Sequence, residues 1–299
     1  MQKVYPPQPP EIEARLNTLF ALLREEPDIN DSQRQMLQDR ISSVLNYHAK
    51  IGVLGKTGVG KSTLCNALFG ERVAAVSDVM ACTREPQDIA FATNHGKGIT
   101  LIDMPGVGED EDHDREYAGL YSNMLPELDL VLWLIKADDR ALAADLHWHD
   151  TVVKPYCMQN NIPLLVVISQ IDKMEPVNQW DWDHGVPGPD QHDNIERKAA
   201  QLMALFDLPP SRIATVSGGL NVGLTDLVEK IIRALPHDKR WGVTRETKPE
   251  NISPQAQHDT ETGLWETIRT AVCEIVKEGA EFVICKLTTM AHTLFGWLR

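Results

Sequence analysis

Residues 55–62 read GKTGVGKS and satisfy the pattern G-x-x-x-x-G-K-S/T, which constrains this chain more than any other stretch. The pattern is typical of a loop that wraps a polyphosphate, because glycines let backbone N–H groups turn inward. Lys61 supplies a cation for the phosphates, and Ser62 supplies a hydroxyl for Mg²⁺. The apolar residues 50–54 predict a strand before the loop, and residues 62–69 predict a helix whose N-terminus attracts anions. The predicted phosphate-binding residues are Gly55, Lys56, Thr57, Gly58, Val59, Gly60, Lys61, Ser62 and Thr63.

Charge and cysteine content exclude several classes of protein. The chain of 299 residues has 43 acidic and 29 basic residues, which give a net charge of −14. Such a balance disfavours nucleic acid or an anionic membrane as a non-specific partner, since both need clustered Lys and Arg. The five cysteines are scattered without metal-binding or disulfide spacing, and the N-terminus lacks the apolar run of a signal peptide. We therefore expect a cytoplasmic protein.

Apolar runs and helical stripes alternate from residue 49 to residue 235, which predicts an α/β domain with a mostly parallel sheet between two helical layers. Strands are predicted at 50–54, 88–93, 99–102, 128–135, 163–169 and 212–216. Helices are predicted at 62–70, 114–124, 140–158, 192–206 and 222–235. The short turn at 94–98 has hairpin spacing, so the six-stranded sheet is expected to carry one antiparallel edge strand.

Three segments flank this predicted domain. Residues 1–48 predict a helical hairpin, whose second helix has Ser32 and Gln35 at capping-box spacing. Residues 236–260 are polar and punctuated by proline, which predicts a linker. Residues 261–299 return to helical periodicity and predict an amphipathic segment. Three roles stay open for its part 280–298, namely packing on the rest of the chain, contact with a partner, and contact with a membrane surface.

Two further motifs follow the phosphate loop and fit a bound nucleotide triphosphate. The predicted strand at 99–102 ends in Asp103-Met104-Pro105-Gly106, a D-x-x-G motif. The carboxylate of Asp103 suits Mg²⁺, and the N–H of Gly106 suits the γ-phosphate. Thr83 lies between these motifs, where a threonine can close over Mg²⁺ and the γ-phosphate. The predicted metal ligands are thus Ser62, Thr83 and Asp103.

A base-reading motif follows the predicted strand at 163–169. Ser169-Gln170-Ile171-Asp172 places a carboxylate where guanine, with its N1–H and 2-amino group, offers two donors and adenine does not. Ser217 and Gly218 follow the last predicted strand, where a backbone N–H can meet the guanine O6. We expect Ser169, Gln170, Asp172, Ser217 and Gly218 to contact the base.

The order of these motifs resembles that of the Era/septin-like branch of P-loop GTPases, the TRAFAC class. The phosphate loop is similar to septin and AIG1/Toc-type loops. The stretches ACTREP, DMPGVGE and ISQIDK resemble the enterobacterial YfjP-like GTPases. The resemblance implies the P-loop GTPase fold, GTP or GDP with Mg²⁺ as cofactors, and catalytic roles for Lys61, Thr83 and Gly106.

The chain departs from the family pattern at positions that matter for affinity and rate. Ser169 and Gln170 replace the usual Asn, which braces the phosphate loop, and the usual Lys, which covers the base; we expect weakened affinity. Val107 replaces the water-orienting glutamine of Ras-type enzymes. Gly58 replaces the asparagine with which Era-like enzymes hold K⁺. Hydrolysis is therefore expected to be slow or to depend on a partner.

These observations predict a Mg²⁺-dependent GTP-binding protein that hydrolyses GTP slowly and acts as a molecular switch through an unidentified effector or activating protein. One alternative is a septin/AIG1-like scaffold, a homodimer assembled through its nucleotide face. Another is an Era-like ribosome-associated GTPase, which the absence of a basic patch or a GXXG loop in the C-terminal tail disfavours.

Overall fold

The computed structural model describes residues 29–69, 87–91, 99–103 and 125–277, with single residues 21, 27, 281, 283–285 and 288. For 87–91, 99–103 and residue 126 it describes the backbone alone. The predicted helices at 11–25 and 114–124 and the predicted turn at 94–98 lie outside the described residues, as does most of 280–298.

Six strands form one sheet in the order β2–β3–β1–β4–β5–β6. The strands are β1 (Ala49–Leu54), β2 (Gln87–Phe91), β3 (Ile99–Asp103), β4 (Leu130–Lys136), β5 (Leu164–Ser169) and β6 (Ile213–Thr215). β2 pairs with β3 in antiparallel orientation, and every other neighbouring pair is parallel. The carboxyl ends of β1, β3, β4, β5 and β6 therefore meet at one edge of the sheet.

The helices alternate with these strands, so the predicted α/β pattern is confirmed. The α-helices of the described residues are α1 (Asp31–Leu45), α2 (Lys61–Phe69), α3 (Ala143–Trp148), α4 (Lys154–Gln159), α5 (Pro189–Phe206), α6 (Leu224–Ala234), α7 (His237–Glu246) and α8 (Pro254–Val276). A π-helical turn (His149–Val153) joins α3 to α4, so these form one continuous helical stretch.

The central strands β1, β4 and β5 are buried on both faces, as the uninterrupted apolar sequence of β4 requires. Leu132 and Leu134 point to one face and pack with α2 and α6. Trp133 and Ile135 point to the other face and pack with α3, α4 and α5. Successive residues of a strand point to opposite faces, so β4 contributes to both cores. The result is a three-layer α/β/α arrangement.

A third apolar cluster joins the two ends of the described chain. Leu37 and Ile41 of α1 pack against Trp241 of α7 and against Leu264 and Ile268 of α8. Val283 is buried in the same cluster. The apolar stripe of α1 therefore packs within the chain. No helix in the described ranges is long and apolar enough to cross a membrane.

The N-terminus of α1 differs from the prediction. Asn30 Oδ1 accepts a hydrogen bond from the Gln33 N–H at 2.9 Å, and Gln33 Oε1 accepts one from the Asn30 N–H at 3.0 Å. The capping box therefore consists of Asn30 and Gln33, and the predicted pair, Ser32 and Gln35, is wrong. Both pairs have the same spacing, and Asn is at least as good an N-cap as Ser.

The predicted linker at 236–260 is also wrong, because this segment contains α7 and the start of α8. Its polar residues suggested exposure, but Arg245 and Glu246 are buried and paired at 2.6 Å. Arg245 also donates to the carbonyl of Leu45 at 2.6 Å and to that of Tyr47 at 3.3 Å. The pair thus joins α7 to the segment between α1 and β1.

Asp129, which directly precedes β4, attaches α7 to the sheet at a second place. Its buried carboxylate accepts from the Tyr47 hydroxyl at 2.7 Å and from the Lys50 backbone N–H at 2.9 Å. Lys239 of α7 contacts the same carboxylate at 2.5 Å. Burial and the hydrogen bond to Asp129 raise the pKa of Tyr47 above its ordinary value. These contacts fix the start of β1 next to β4.

Replacing Arg245 by Leu should lower the free energy of unfolding by about 3–5 kcal/mol, because Glu246 would be left charged and buried. Arg269→Leu is the matched control: Arg269 is half exposed and pairs with Glu266 at 3.6 Å, so its loss should cost under about 1 kcal/mol. Urea denaturation measures both. The double variant Arg245→Leu/Glu246→Leu should recover part of the loss. Equal losses in the two single variants would contradict this role of the pair.

Candidate functional site

The phosphate loop lies between the end of β1 at Leu54 and the start of α2 at Lys61. Gly55 has φ +138°, and a Cβ there would lie 2.5 Å from the carbonyl oxygen of Leu134. Both constraints require glycine, since the backbone approaches β4 closely. Lys61 Nζ donates to the Gly55 carbonyl at 2.9 Å, which holds the ammonium group over the loop.

Lys56 attaches the loop to the end of β4. Its ammonium group lies 2.9 Å from Asp139 Oδ2 and 2.8 Å from Asp145 Oδ2. It also donates to the carbonyl of Ala141 at 2.6 Å. Asp145 is buried and accepts from the Trp133 indole N–H at 3.3 Å. The side chain of Lys56 thus anchors the loop from outside, so only its backbone is available to a phosphate.

Each charge of this anchor stabilises the others. Burial lowers the pKa of Lys56, but hydrogen bonds to Asp145 and Asp139 outweigh it, so its pKa is raised. Burial raises the pKa of Asp139, but the hydrogen bond from Lys56 and the backbone N–H of Ala141 outweigh it, so its pKa is lowered. Lys198 of α5 adds a hydrogen bond to the Asp139 carbonyl at 2.5 Å. Lys56 and Asp139 therefore each favour the charged form of the other.

Two side chains at the carboxyl end of β5 also brace the loop. Ser169 is buried, and its hydroxyl donates to the carbonyl of Val59 at 2.7 Å. Gln170 Nε2 donates to the carbonyl of Gly58 at 2.9 Å, and Gln170 Oε1 accepts from Lys173 at 2.7 Å. In the family pattern the usual Asn braces the phosphate loop, and its absence predicted a loss of this contact. Ser169 and Gln170 brace the loop in its place. Gln170 has φ +55°, a left-handed conformation that aims its amide at the loop.

Asp172 lies in the turn that follows. Gln191 of α5 is fully buried and donates to the backbone carbonyls of Asp172 and Met174, at 3.3 and 2.8 Å. These bonds hold the turn, while the Asp172 carboxylate has no hydrogen-bond or ion-pair partner within the described ranges. Both of its oxygens can therefore accept hydrogen bonds from a ligand.

The loop after β6 completes this side of the site. The Ser217 N–H donates to the Val222 carbonyl at 3.0 Å, and the return bond has the same length. The Ile171 N–H donates to the Val216 carbonyl at 3.3 Å, which joins this loop to the Asp172 turn. At Gly218 a Cβ would lie 3.3 Å from the backbone of Leu64, so the loop lies close against α2.

The predicted metal ligands are described only in part. Ser62 lies in the first turn of α2. Asp103 is the last residue of β3 and pairs in register with Val53, two residues before the phosphate loop. Thr83, Gly106 and Val107 lie outside the described residues. The structure thus brings together the phosphate loop, the predicted base-contacting residues 169–172 and 217–218, and the backbone of Asp103.

Sequence reasoning missed Asp139 and Asp145, which anchor Lys56. The available signal was Asp138-Asp139 directly after the buried strand β4, which is the neighbour of β1 in the sheet. Carboxylates at that position lie beside the phosphate loop, because parallel strands end at the same edge.

The family model described as "50S ribosome-binding GTPase" matches residues 50–170. The uncharacterized Escherichia coli protein YkfA is 42% identical over 235 residues, which cover 78% of each chain. The uncharacterized Escherichia coli protein YfjP is 43% identical over 205 residues, which cover 68% of each chain.

GTPase Era of Aquifex aeolicus is 28% identical over 190 residues, or 62% of this chain, and the match covers 56% of Era. A solved structure of Aquifex aeolicus Era bound to GDP.AlF4- has a TM-score of 0.47 and 25% identity, over 62% of this chain and 56% of that chain. The match thus spans just over half of Era. The sheet, the phosphate loop and the sequence matches lead to one conclusion: this chain belongs to the P-loop GTPase family, in a group with YkfA and YfjP.

Proposed function

We propose that the chain is a Mg²⁺-dependent GTP-binding protein that hydrolyses GTP slowly and acts as a molecular switch. The observation that carries the proposal is the hydrogen bond from Ser169 Oγ to the Val59 carbonyl, supported by that from Gln170 to Gly58. These bonds fix the predicted base-contacting strand end at a set distance from the phosphate loop. A nucleotide would bridge the two, since it carries a base at one end and phosphates at the other.

The chemistry of the base end favours guanine. The Asp172 carboxylate accepts hydrogen bonds only, and its backbone is fixed by Gln191. Guanine offers two adjacent donors, N1–H and the 2-amino group, whereas adenine offers an acceptor at N1. A buried or half-buried site made for donors rejects a base that lacks them, because the carboxylate would stay unpaired.

The phosphate end suits a metal-bound triphosphate. Lys61 and the loop N–H groups would hold the phosphates, and the hydroxyl of Ser62 at the N-terminus of α2 would hold Mg²⁺ together with Asp103 and Thr83. Mg²⁺ prefers such oxygen ligands and supplies charge neutralisation on the β- and γ-phosphates. Release of the Thr83 and Gly106 segments after hydrolysis would give the switch.

Slow hydrolysis rests on Gly58 and Val107. Gly58 has φ +79°, and a Cβ there would meet nothing within 4 Å. The position therefore has space for a side chain but supplies no oxygen for a cation. Val107 cannot orient water, because its side chain has no hydrogen-bonding atom. An activating protein or a second copy of the chain is expected to supply the missing group.

A second candidate function is assembly through the nucleotide face, as in the scaffold alternative. Large apolar side chains are exposed next to the base-contacting loops: Trp182 (64%), Val186 (48%) and Leu220 (38%). Their two loops touch, since a Cβ at Gly185 would lie 3.2 Å from Val222. Neighbouring exposed apolar groups of this kind favour a protein contact. The Era-like ribosome-associated alternative stays a prediction.

Asp172→Asn should change base preference, because the amide offers guanine a donor where it needs an acceptor. We expect weaker GTP binding, by about tenfold or more, and tighter binding of xanthosine triphosphate, whose 2-oxo group accepts a hydrogen bond. Isothermal titration calorimetry measures both affinities. Asp183→Asn, in the exposed loop nearby, should leave them unchanged. Unaltered GTP preference in the Asp172 variant would refute the assigned role.

Gly58→Asn should create potassium-stimulated hydrolysis, because asparagine tolerates a left-handed φ and offers an oxygen to the cation. We expect the variant to hydrolyse GTP about tenfold faster or more in KCl than in NaCl, a barrier change of about 1.4 kcal/mol. Phosphate release measures the rates. The unaltered chain and Gly58→Ala should be slow in both salts. Fast, potassium-stimulated turnover by the unaltered chain would contradict the slow-hydrolysis proposal.

Assembly through the nucleotide face predicts a larger particle with a non-hydrolysable GTP analogue than with GDP, as measured by light scattering. Trp182→Ser/Leu220→Ser should abolish the difference by removing apolar contact area. Met158→Ser is the control, because Met158 is 70% exposed but belongs to α4, away from these loops. A monomer with either nucleotide would eliminate this second function while leaving GTP binding unaffected.

A further inference from the structure

A cavity of about 730 Å³ lies at the edge of the sheet opposite the phosphate loop. Leu164 at the start of β5 and Arg212, directly before β6, line it, whereas the phosphate loop follows the carboxyl end of β1. The ends of α4, α5 and α6 surround the opening. The volume is in the range of small-molecule sites. Nothing in the proposed nucleotide function uses this cavity, and the inference below is independent of it.

The walls of the cavity are mostly apolar. Phe206 and Leu235 line it but are almost completely buried, whereas Met158 and Leu208 line it and keep accessible surface. Cys157 and Ile162 are also buried there, and burial raises the pKa of the Cys157 thiol to about 12. The accessible part of this lining accepts an apolar group, since removing apolar surface from water is favourable.

The charged groups that line the cavity are mostly positive, whereas the chain as a whole is negative. Lys154, Arg212 and Arg240 line the cavity together with one carboxylate, Asp207, although the chain as a whole carries −14. Asp207 is 88% exposed and lies 3.5 Å from Lys154. Local positive charge in an acidic protein indicates an anionic ligand, because the surrounding surface repels anions.

The C-terminal ends of three helices oppose an anion at this place, since their carbonyls carry partial negative charge. The cations of the cavity offset this effect. Arg240 donates to the Leu235 carbonyl at the end of α6, at 3.0 Å, and to the Asp259 carbonyl at 3.1 Å. Arg240 is engaged by these two carbonyls, which leaves Arg212 as the guanidinium in the cavity lining whose side chain has no partner among the described residues.

Arg212 has donor capacity that the described part of the chain leaves unused. Its Nη1 atom is buried and has no hydrogen-bond partner among the described residues. Burial alone lowers the pKa of Arg212, which means that its charge is desolvated without compensation from a carboxylate. The residue as a whole is partly exposed, and its side chain makes no hydrogen bond or ion pair with the described residues. An oxyanion in the cavity would therefore pair with the accessible part of this guanidinium and compensate its charge.

We propose that this cavity binds a small organic anion, a carboxylate or phosphate carried on an apolar group. The charged end pairs with Arg212, and the apolar body packs on Met158 and Leu208, the apolar lining side chains that keep accessible surface. If binding depended on apolar contact alone, an acid and the corresponding alcohol would bind with the same affinity. If it depended on the ionic contact alone, a long acid and a short acid would bind with the same affinity.

The test is isothermal titration calorimetry of the full chain with octanoate and phenyl phosphate, in buffer containing saturating GDP and Mg²⁺ to block the phosphate loop. We expect at least one probe to bind with one site per chain. Octan-1-ol, which lacks the charge, and acetate, which lacks the apolar body, should bind about tenfold more weakly or worse.

Three variants separate a ligand role from a structural one. Arg212→Met should lose the probe by about tenfold or more, yet keep or raise the melting temperature, because it removes a desolvated charge. Ala234→Leu should fill the cavity and weaken binding without touching Arg212. Arg269→Met, at an exposed arginine outside the cavity, should bind normally.

The proposal is overturned if neither probe binds saturably below about 10 mM, or if octan-1-ol binds as tightly as octanoate. It is equally overturned if Arg212→Met keeps its affinity for the probe. If Arg212→Met fails to fold, Ala234→Leu decides the matter. It keeps Arg212 and should still weaken binding, because the larger side chain occupies part of the cavity.

Discussion

The hydrogen bond between the Ser169 hydroxyl and the Val59 carbonyl is the contact on which the candidate site depends. A loop with three glycines at positive φ, residues 55, 58 and 60, is too free to hold one conformation by itself. Ser169 and Gln170 hold it from β5, and Lys56 holds it from the end of β4 through Asp139 and Asp145. The two anchors hold different residues of the loop, Lys56 in one case and the Gly58 and Val59 carbonyls in the other, so the loop is fixed before any ligand binds.

This arrangement explains how the chain departs from the family pattern without losing the loop. The usual Asn is replaced by Ser169, whose hydroxyl is short but fully buried against the loop. The usual Lys is replaced by Gln170, whose amide reaches the neighbouring carbonyl of Gly58. Compared with the family pattern one position at a time, the chain lacks two functional side chains. Ser169 and Gln170 nevertheless make two hydrogen bonds to adjacent carbonyls of the loop.

The parts of the fold that sequence predicted are those encoded locally. The phosphate loop, the buried strand before it and the alternation of helices with strands each follow from a few neighbouring residues. The errors involve partners distant in the chain. Arg245 binds the carbonyl of Leu45, which is 200 residues away in the chain. The polar stretch that predicted a linker is therefore a buried helix. The Lys56 anchor likewise joins residues 83 positions apart, and the Asp138-Asp139 pair after β4 signals it only once the order of the strands in the sheet is known.

The central claim, that the braced loop and Asp172 form one site for a guanine nucleotide, has one most direct test. Calorimetric titration of the unaltered chain with GDP and with ADP, each with Mg²⁺, compares the two bases on identical phosphates. The account predicts one GDP bound per chain and ADP weaker by about a hundredfold or more, the scale of two lost hydrogen bonds to a charged group. ADP bound as tightly as GDP would contradict it.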